Sequence, residues 1–165
     1  MIETARLVLR PLERSDLDDY AAMYADREVT RFLGSVATRG YAADWLERRM
    51  RDYERQGYGV LTVRERETGA FAGRCGLAHW EIEGVDELEV GYVLVRSAWG
   101  KGYATEAAVA VRDYALHTLA RRRLIALILP ENLRSIAVAE RLGMSHERDV
   151  TYFRGLLHRL YALNR

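Results

Sequence analysis

Residues Val90 to Ala108 read VGYVLVRSAWGKGYATEAA. The apolar run Val90–Val95 has the composition of a buried strand. The alanine-rich segment after Gly102 has that of a helix. Between them, Gly100 and Gly102 strip the side chains from the connecting turn. Backbone N–H groups at such a turn, and the positive end of the following helix, face one spot, and that spot suits a phosphate.

Three phosphate-binding patterns compete for this turn. A P-loop needs Gly-x-x-x-x-Gly-Lys-Ser/Thr. Here Lys101 is followed by Gly102, and Val95 stands five residues before Gly100, so that pattern fails. A dinucleotide fingerprint needs a third glycine and an acid about twenty residues on. Thr105 occupies the glycine position, and the later region is the basic Arg121–Arg123. The third pattern, Gln/Arg-x-x-Gly-x-Gly/Ala, grips the pyrophosphate of coenzyme A. Trp99-Gly-Lys-Gly102-Tyr-Ala104 fits it from Gly102 onward, with Trp99 in the place of its Gln or Arg. A tight strand–helix connection with no ligand is the plain alternative.

The chain has 165 residues, enough for one domain, 1–165, with a sizeable core. Lys plus Arg number 25 against 24 Asp plus Glu, which argues against a nucleic-acid or membrane binder working by bulk charge. Cys75 is the only cysteine, so no internal disulfide forms, a reducing cytoplasmic setting is expected, and Cys75 reads as a small core residue. No apolar segment approaches the ~20 residues of a membrane span, and the start of the chain has no signal-peptide pattern.

Along the chain, Arg6–Arg10 alternates as a strand and stops at Pro11. Ser15 is the expected cap of a helix carrying Leu17, Tyr20, Ala21 and Tyr24. A short helix over Asp26–Leu33 and a longer one over Tyr41–Gln56, ended by Gly57, follow. Tyr58–Val63, Phe71–Trp80 and Glu87–Val95 read as an antiparallel meander because their links are short. The helix after the glycine turn places Ala104, Ala107, Ala108, Val111, Ala115 and Leu119 on one face. Leu124–Leu129 is a doubly covered strand, parallel to the previous one because a helix joins them. A helix over Asn132–Leu142 and two strands, Met144–Phe153 and Leu156–Leu163, complete the chain. The expected fold is mixed α/β: a mixed sheet of about seven strands flanked by about four helices.

Five blocks in order, covering nearly the whole chain, resemble the GNAT superfamily of N-acetyltransferases. Within it they resemble the branch that modifies ribosomal-protein N-termini. The blocks are Thr4–Leu12 with Asp16-Leu17; Asp26–Leu33; Glu89–Tyr92 with Trp99–Ala107; Asn132–Ser135 with Glu140–Met144; and Arg154-Gly155 with Tyr161–Leu163. The resemblance implies a splayed central strand pair and acetyl-CoA as cosubstrate, with no metal. The amides of Gly100, Lys101, Gly102, Tyr103, Ala104 and Thr105 would cradle the pyrophosphate, with Lys101 adding a charge. Tyr92, Val93 and Leu94 would pair with the pantetheine arm, and one of their N–H groups would face the thioester oxygen. Asn132 would hydrogen-bond the arm, and Ser135 would lie near the sulfur. An Asn before a helix is equally a plain cap.

The acceptor must lose a proton to attack, because an ammonium has no lone pair. Glu89 is the expected catalytic base, with Glu87, Glu81 and His79 behind it. Relatives that carry a base five residues before the motif Asn have Leu127 matched to it here, and the usual acid, a Tyr, is Ala139. Ser135, Tyr103 or water remains to protonate the sulfur. Glu106, in the first helical turn, reads as a structural partner of the dipole. Arg121–Arg123 suits a helix C-terminus or the coenzyme's 3′-phosphate.

The reading is an acetyl-CoA-dependent N-acetyltransferase acting by direct attack in a ternary complex. The acceptor is an amine, on a protein N-terminus or a small molecule such as a drug. Its binding loops are expected near Gly34–Tyr41 and Ile82–Asp86, and the assembly is expected to be a homodimer. The alternative is a non-catalytic acyl-CoA binder or sensor.

Overall fold

The computed structural model describes residues 1–34 and 36–165. Eight strands form one sheet: β1 (Ile2–Glu3), β2 (Leu7–Pro11), β3 (Val60–Glu65), β4 (Phe71–Ile82), β5 (Val85–Leu94), β6 (Arg123–Ile128), β7 (Ser145–Tyr152) and β8 (Leu156–Asn164). Their order is β1-β2-β3-β4-β5-β6-β8-β7. Five α-helices flank it among the described residues: α1 (Leu17–Ala25), α2 (Arg27–Thr30), α3 (Arg39–Gln56), α4 (Tyr103–Asp113) and α5 (Leu133–Arg141). No described helix is long and apolar enough to cross a membrane.

The mixed α/β class and the β3–β4–β5 meander are as expected. The extra strand is β1. Its two residues pair with Leu9 and Val8, a ladder too short to leave a periodic signal. Ser15 does not cap α1. Residues Arg14–Asp16 form a short 3₁₀ turn instead, in which Glu13 and Asp16 make a capping box. The helix after the glycine turn ends its α-helical part at Asp113 and continues as a π-helical turn over Tyr114–Thr118. That turn still buries Ala115 and Leu116.

The sheet is covered on both faces. Small residues of α4 (Ala107, Ala108) and Ile136, Val138 and Ala139 of α5 pack over Leu61, Leu77, Leu88 and Val90 on one face. On the other, α1 and α3 bring Tyr20, Tyr24, Trp45 and Leu46 against Val60. Strand alternation puts Glu89, Gly91 and Val93 on this second face, with Arg74 and Ala78 opposite.

The α1 side is fastened by a buried carboxylate. Asp16 is 1% exposed and accepts from Arg10, Arg64, Thr62 and the Glu13 amide. Burial alone would raise its pKa, but Arg10, the Glu13 amide, Arg64 and Thr62 together hold it below the usual carboxylate value. A folded pKa below the unfolded one gives stability that is complete above the unfolded value of about 3.9 and is lost as pH falls below it. Replacing Asp16 with Asn should cost about 3 kcal/mol at neutral pH in urea denaturation. The gap between the two proteins should narrow as the pH is lowered towards the acid range.

Candidate active site

β5 and β6 are parallel neighbours with one register pair, Glu89 opposite Ile125. On its other side β6 pairs with β8 over six positions, Arg123 to Ile128. Beyond Glu89 and Ile125 the two strands separate. The cleft between them holds roughly 590 Å³ continuous with solvent. Its walls include Val90–Val93 of β5 and Ala126–Ile128 of β6, with Phe32 and Leu33 after α2, and Asn132 and Ser135 at the start of α5.

The β5 edge of the cleft carries free amides. Val95 donates its N–H to the Ala72 carbonyl at 3.0 Å. N–H direction alternates along a strand, so Gly91 and Val93 point their amides at β4, while Tyr92 and Leu94 point theirs into the gap. The Leu94 carbonyl on that side accepts the Trp99 indole N–H at 2.8 Å. Trp99, where the coenzyme pattern has a polar residue, thereby ties the glycine turn to the end of β5. The Arg134 guanidinium lies 5.2 Å from the centre of the Trp99 ring, which brings the start of α5 to the same place.

Gly100 and Gly102 adopt φ of 74° and 78°, the left-handed region that side-chain-bearing residues avoid. Gly102 is the N-cap of α4. Among the described residues, no N–H from Gly100 to Thr105 has a protein acceptor, as the first turn of a helix allows. The turn is clamped from outside. Arg6 donates to the Lys101 carbonyl at 2.8 Å and to Glu106 at 2.7 Å, and Thr4 donates to Glu106 at 2.6 Å. Glu106 is thus a structural acid, as its place in the first turn suggests. Lys101 directs its ammonium to Glu65 at 2.9 Å, and Tyr103 packs under Arg6 and Lys101, outside the cleft.

Asn132 caps α5, accepting the Ser135 N–H at 3.2 Å, and lines the cleft. The Tyr92 hydroxyl donates to the Ser135 carbonyl at 2.8 Å and locks α5 against β5. Glu89 sits where the strands part. Its carboxylate accepts the Trp80 indole N–H at 2.6 Å and, more weakly, the Leu127 amide at 3.4 Å. Burial pushes its pKa up, against the Trp80 and Leu127 donors and the charges of Arg74 and His158. Glu89 is the only Asp or Glu among the residues lining the cleft. Leu127, matched to the base of some relatives, gives its backbone N–H to this same carboxylate.

The weaker candidates lie elsewhere. Glu87 is buried against Arg123, Glu81 is exposed, and His79 bridges Tyr58 and Asp86. Arg123 also pairs with Glu147, and Arg121 donates to Tyr58, so neither is positioned at the glycine turn. Cys75 is buried, which pushes its thiol up to about 12. Ala139 is fully buried. Of the expected acceptor loops, Phe32 and Leu33 next to Gly34 line the cleft, but no residue of Ile82–Asp86 does, because that hairpin is at the opposite end of β5. Ser35 lies outside the described residues. Sequence reasoning missed Arg74 and Trp80, since each reads alone as an ordinary strand residue.

Known proteins resemble this chain in sequence and fold. Residues 6–145 match a family model described as an acetyltransferase (GNAT) domain. The uncharacterized N-acetyltransferase p20 of Bacillus licheniformis is 31% identical over 167 residues, covering 98% of this chain and 93% of p20. The crystal structure of an acetyltransferase from Agrobacterium tumefaciens str. C58 is 30% identical and superposes with a TM-score of 0.87, covering 99% of this chain and 94% of the other. RimL, a ribosomal L7/L12 α-N-protein acetyltransferase solved with coenzyme A, shares the fold at 19% identity and a TM-score of 0.79, over 98% and 94% of the two chains. The cleft, the glycine turn and these likenesses together make the chain a member of the GNAT acetyltransferase family.

Proposed function

We propose that the chain is an acetyl-CoA-dependent N-acetyltransferase in which Glu89 accepts the proton of the acceptor amine. The observation that carries this reading is the position of Glu89. A half-buried carboxylate of raised pKa stands at the one register pair of β5 and β6, beside a gap whose β5 edge carries amides turned away from β4. The neighbour solved with coenzyme A supports the choice of cosubstrate.

The residues present fit coenzyme A. Six successive amides, Gly100 to Thr105, face outward at the positive end of α4 and suit a pyrophosphate. The Tyr92 and Leu94 amides suit an extended amide-bearing arm laid in the gap as an added strand. The bound coenzyme supplies an acetyl thioester, whose carbonyl carbon is the electrophile. The Tyr92 N–H is the donor placed for the oxygen of that carbonyl as negative charge grows there. Asn132 keeps its side-chain amide N–H groups for the arm while its oxygen caps α5. Ser135, on the cleft wall, is the candidate to hand a proton to the departing sulfur while taking up the one that the attacking nitrogen sheds as the amide forms. Tyr103, outside the cleft, is set aside in that role.

Glu89 must be ionised to take a proton from an ammonium. Its raised pKa brings it closer to that of the amine and makes the transfer less uphill. The carboxylate returns this proton to water as the product leaves. With an amine oriented by the cleft, direct attack needs no covalent intermediate on the enzyme. Binding without turnover is the competing reading. Its one support, the absence of a tyrosine at position 139, is offset by Ser135 in the cleft.

Glu89→Gln should lower kcat/KM by roughly 10²-fold or more and abolish the acidic limb of the pH–rate profile. An unchanged profile removes Glu89 from the role. Trp80→Phe deletes a donor that favours the ionised carboxylate, so the Glu89 pKa should rise further and the acidic limb should move to higher pH. A limb that stays in place, or moves down, contradicts the assignment. Gly102→Val, at a φ of 78°, should weaken coenzyme A binding by at least about tenfold in calorimetry. Unaltered affinity counts against the pyrophosphate cradle.

A further inference from the structure

Arg74 lies in the same cleft as Glu89 and on the same face of the sheet. Among the described residues only its Nε is bonded, donating to the Tyr24 hydroxyl at 3.0 Å. The guanidinium stacks over the Trp45 ring at 5.1 Å, so α1 and α3 fix its direction. Among the described residues, no carboxylate comes within 4.0 Å of it. What sets this arginine apart is its place in the cleft, held by the Tyr24 hydroxyl and the Trp45 ring with no acid beside it among the described residues. Its two terminal nitrogens remain as an open fork, a shape that matches a carboxylate or phosphate in bidentate fashion.

The charges of the cleft point the same way. Its lining holds one acid, Glu89, and one arginine, Arg74. A polyamine entering would bring several charges to one carboxylate and set one of them against an unpaired guanidinium. An acceptor with one amine and one anionic group would meet a partner at each end. Arg74 stands opposite Val93, and Glu89 four residues along β5, so their Cα atoms are roughly 14 Å apart. Both long side chains reach inward from there. The separation suits an amine and an anion several bonds apart.

We infer that Arg74 is an acceptor-binding residue and that the acceptor is a primary amine carrying a carboxylate or phosphate several bonds from its nitrogen. This rests on the transferase reading above. The chemistry is common to a free amino acid and to a protein N-terminus followed by an acidic side chain, so both are probed.

The test measures coenzyme A release with acetyl-CoA and three sets of amines. The first is ω-amino carboxylates of two to six carbons against the matching carboxamides. The second is Ser-Glu-Ala-Ala amide against Ser-Gln-Ala-Ala amide. The third is spermidine. The wild type should prefer the anionic member of at least one pair by roughly tenfold or more in kcat/KM. Preference in the first set assigns a small molecule, and in the second a peptide N-terminus. Arg74→Gln removes a charge that favours ionised Glu89, so rates are compared at a pH above the acidic limb of each protein; there it should erase the preference while leaving coenzyme A affinity and carboxamide turnover within about twofold. Arg74→Lys, which keeps the charge and loses the fork, should restore part of it. Equal rates for charged and neutral members, a preference that survives Arg74→Gln, a uniform loss on all amines, or spermidine as the best substrate each overturns the inference while the transferase reading stands. No release with any amine overturns that reading and this inference with it.

Discussion

Everything the protein is proposed to do depends on one point of contact, where Glu89 of β5 meets Ile125 of β6. Before it, an ion pair between Glu87 of β5 and Arg123 of β6 joins the two strands. Beyond it the two strands part and leave polar backbone exposed in an otherwise apolar interior, an arrangement that costs free energy unless something pairs with those groups. The surroundings hold the gap open from both sides. β5 is anchored through ten register pairs with β4, β6 through six with β8, and the Tyr92 hydroxyl pins α5 to the rim. The cleft is therefore a built feature, and its exposed amides read as binding groups.

The chemistry of the site follows from where charge is placed. One half-buried carboxylate stands at the fork, and the Arg74 guanidinium lines the same cleft without forming a salt bridge to it. Burial favours the neutral acid, and the Trp80 indole together with that cation favours the ionised form. The pull in both directions suits a group that must accept and release a proton in each cycle. Past the end of β5, where Trp99 ties the turn to Leu94, the helix dipole of α4 and the left-handed glycines present positive potential without a free lysine, since Lys101, the only lysine of the chain, is held by Glu65. Backbone geometry at the turn accounts for the anion affinity expected there.

Much of this was legible in the sequence because it rests on local chemistry. The glycine spacing, the alanine face of α4, the role of Glu106 and the place of Glu89 on its strand each follow from neighbours along the chain. What escaped depends on contacts across strands. Trp80 reaches Glu89 diagonally between β4 and β5, and no spacing along the chain announces it. Arg74 on an alternating strand looks solvated until α1 and α3 are seen to enclose it. Which of Tyr92, Val93 and Leu94 offers an amide to the gap depends on the register with β4, fixed by the Val95–Ala72 bond. Ser15 lies inside the 3₁₀ turn before α1, and the Asp16 carboxylate that follows is taken up by two arginines on separate strands rather than by the helix.

The central claim is that coenzyme A lies in the β5–β6 gap with its pyrophosphate on the glycine turn. Residue-resolved amide hydrogen exchange, measured with and without coenzyme A, tests it most directly. The account predicts slowed exchange at Tyr92, at Leu94 and across residues 100–105, with Val93, already bonded to β4, little changed. Slowing confined to other parts of the chain, with these amides unaffected by saturating coenzyme A, would contradict it.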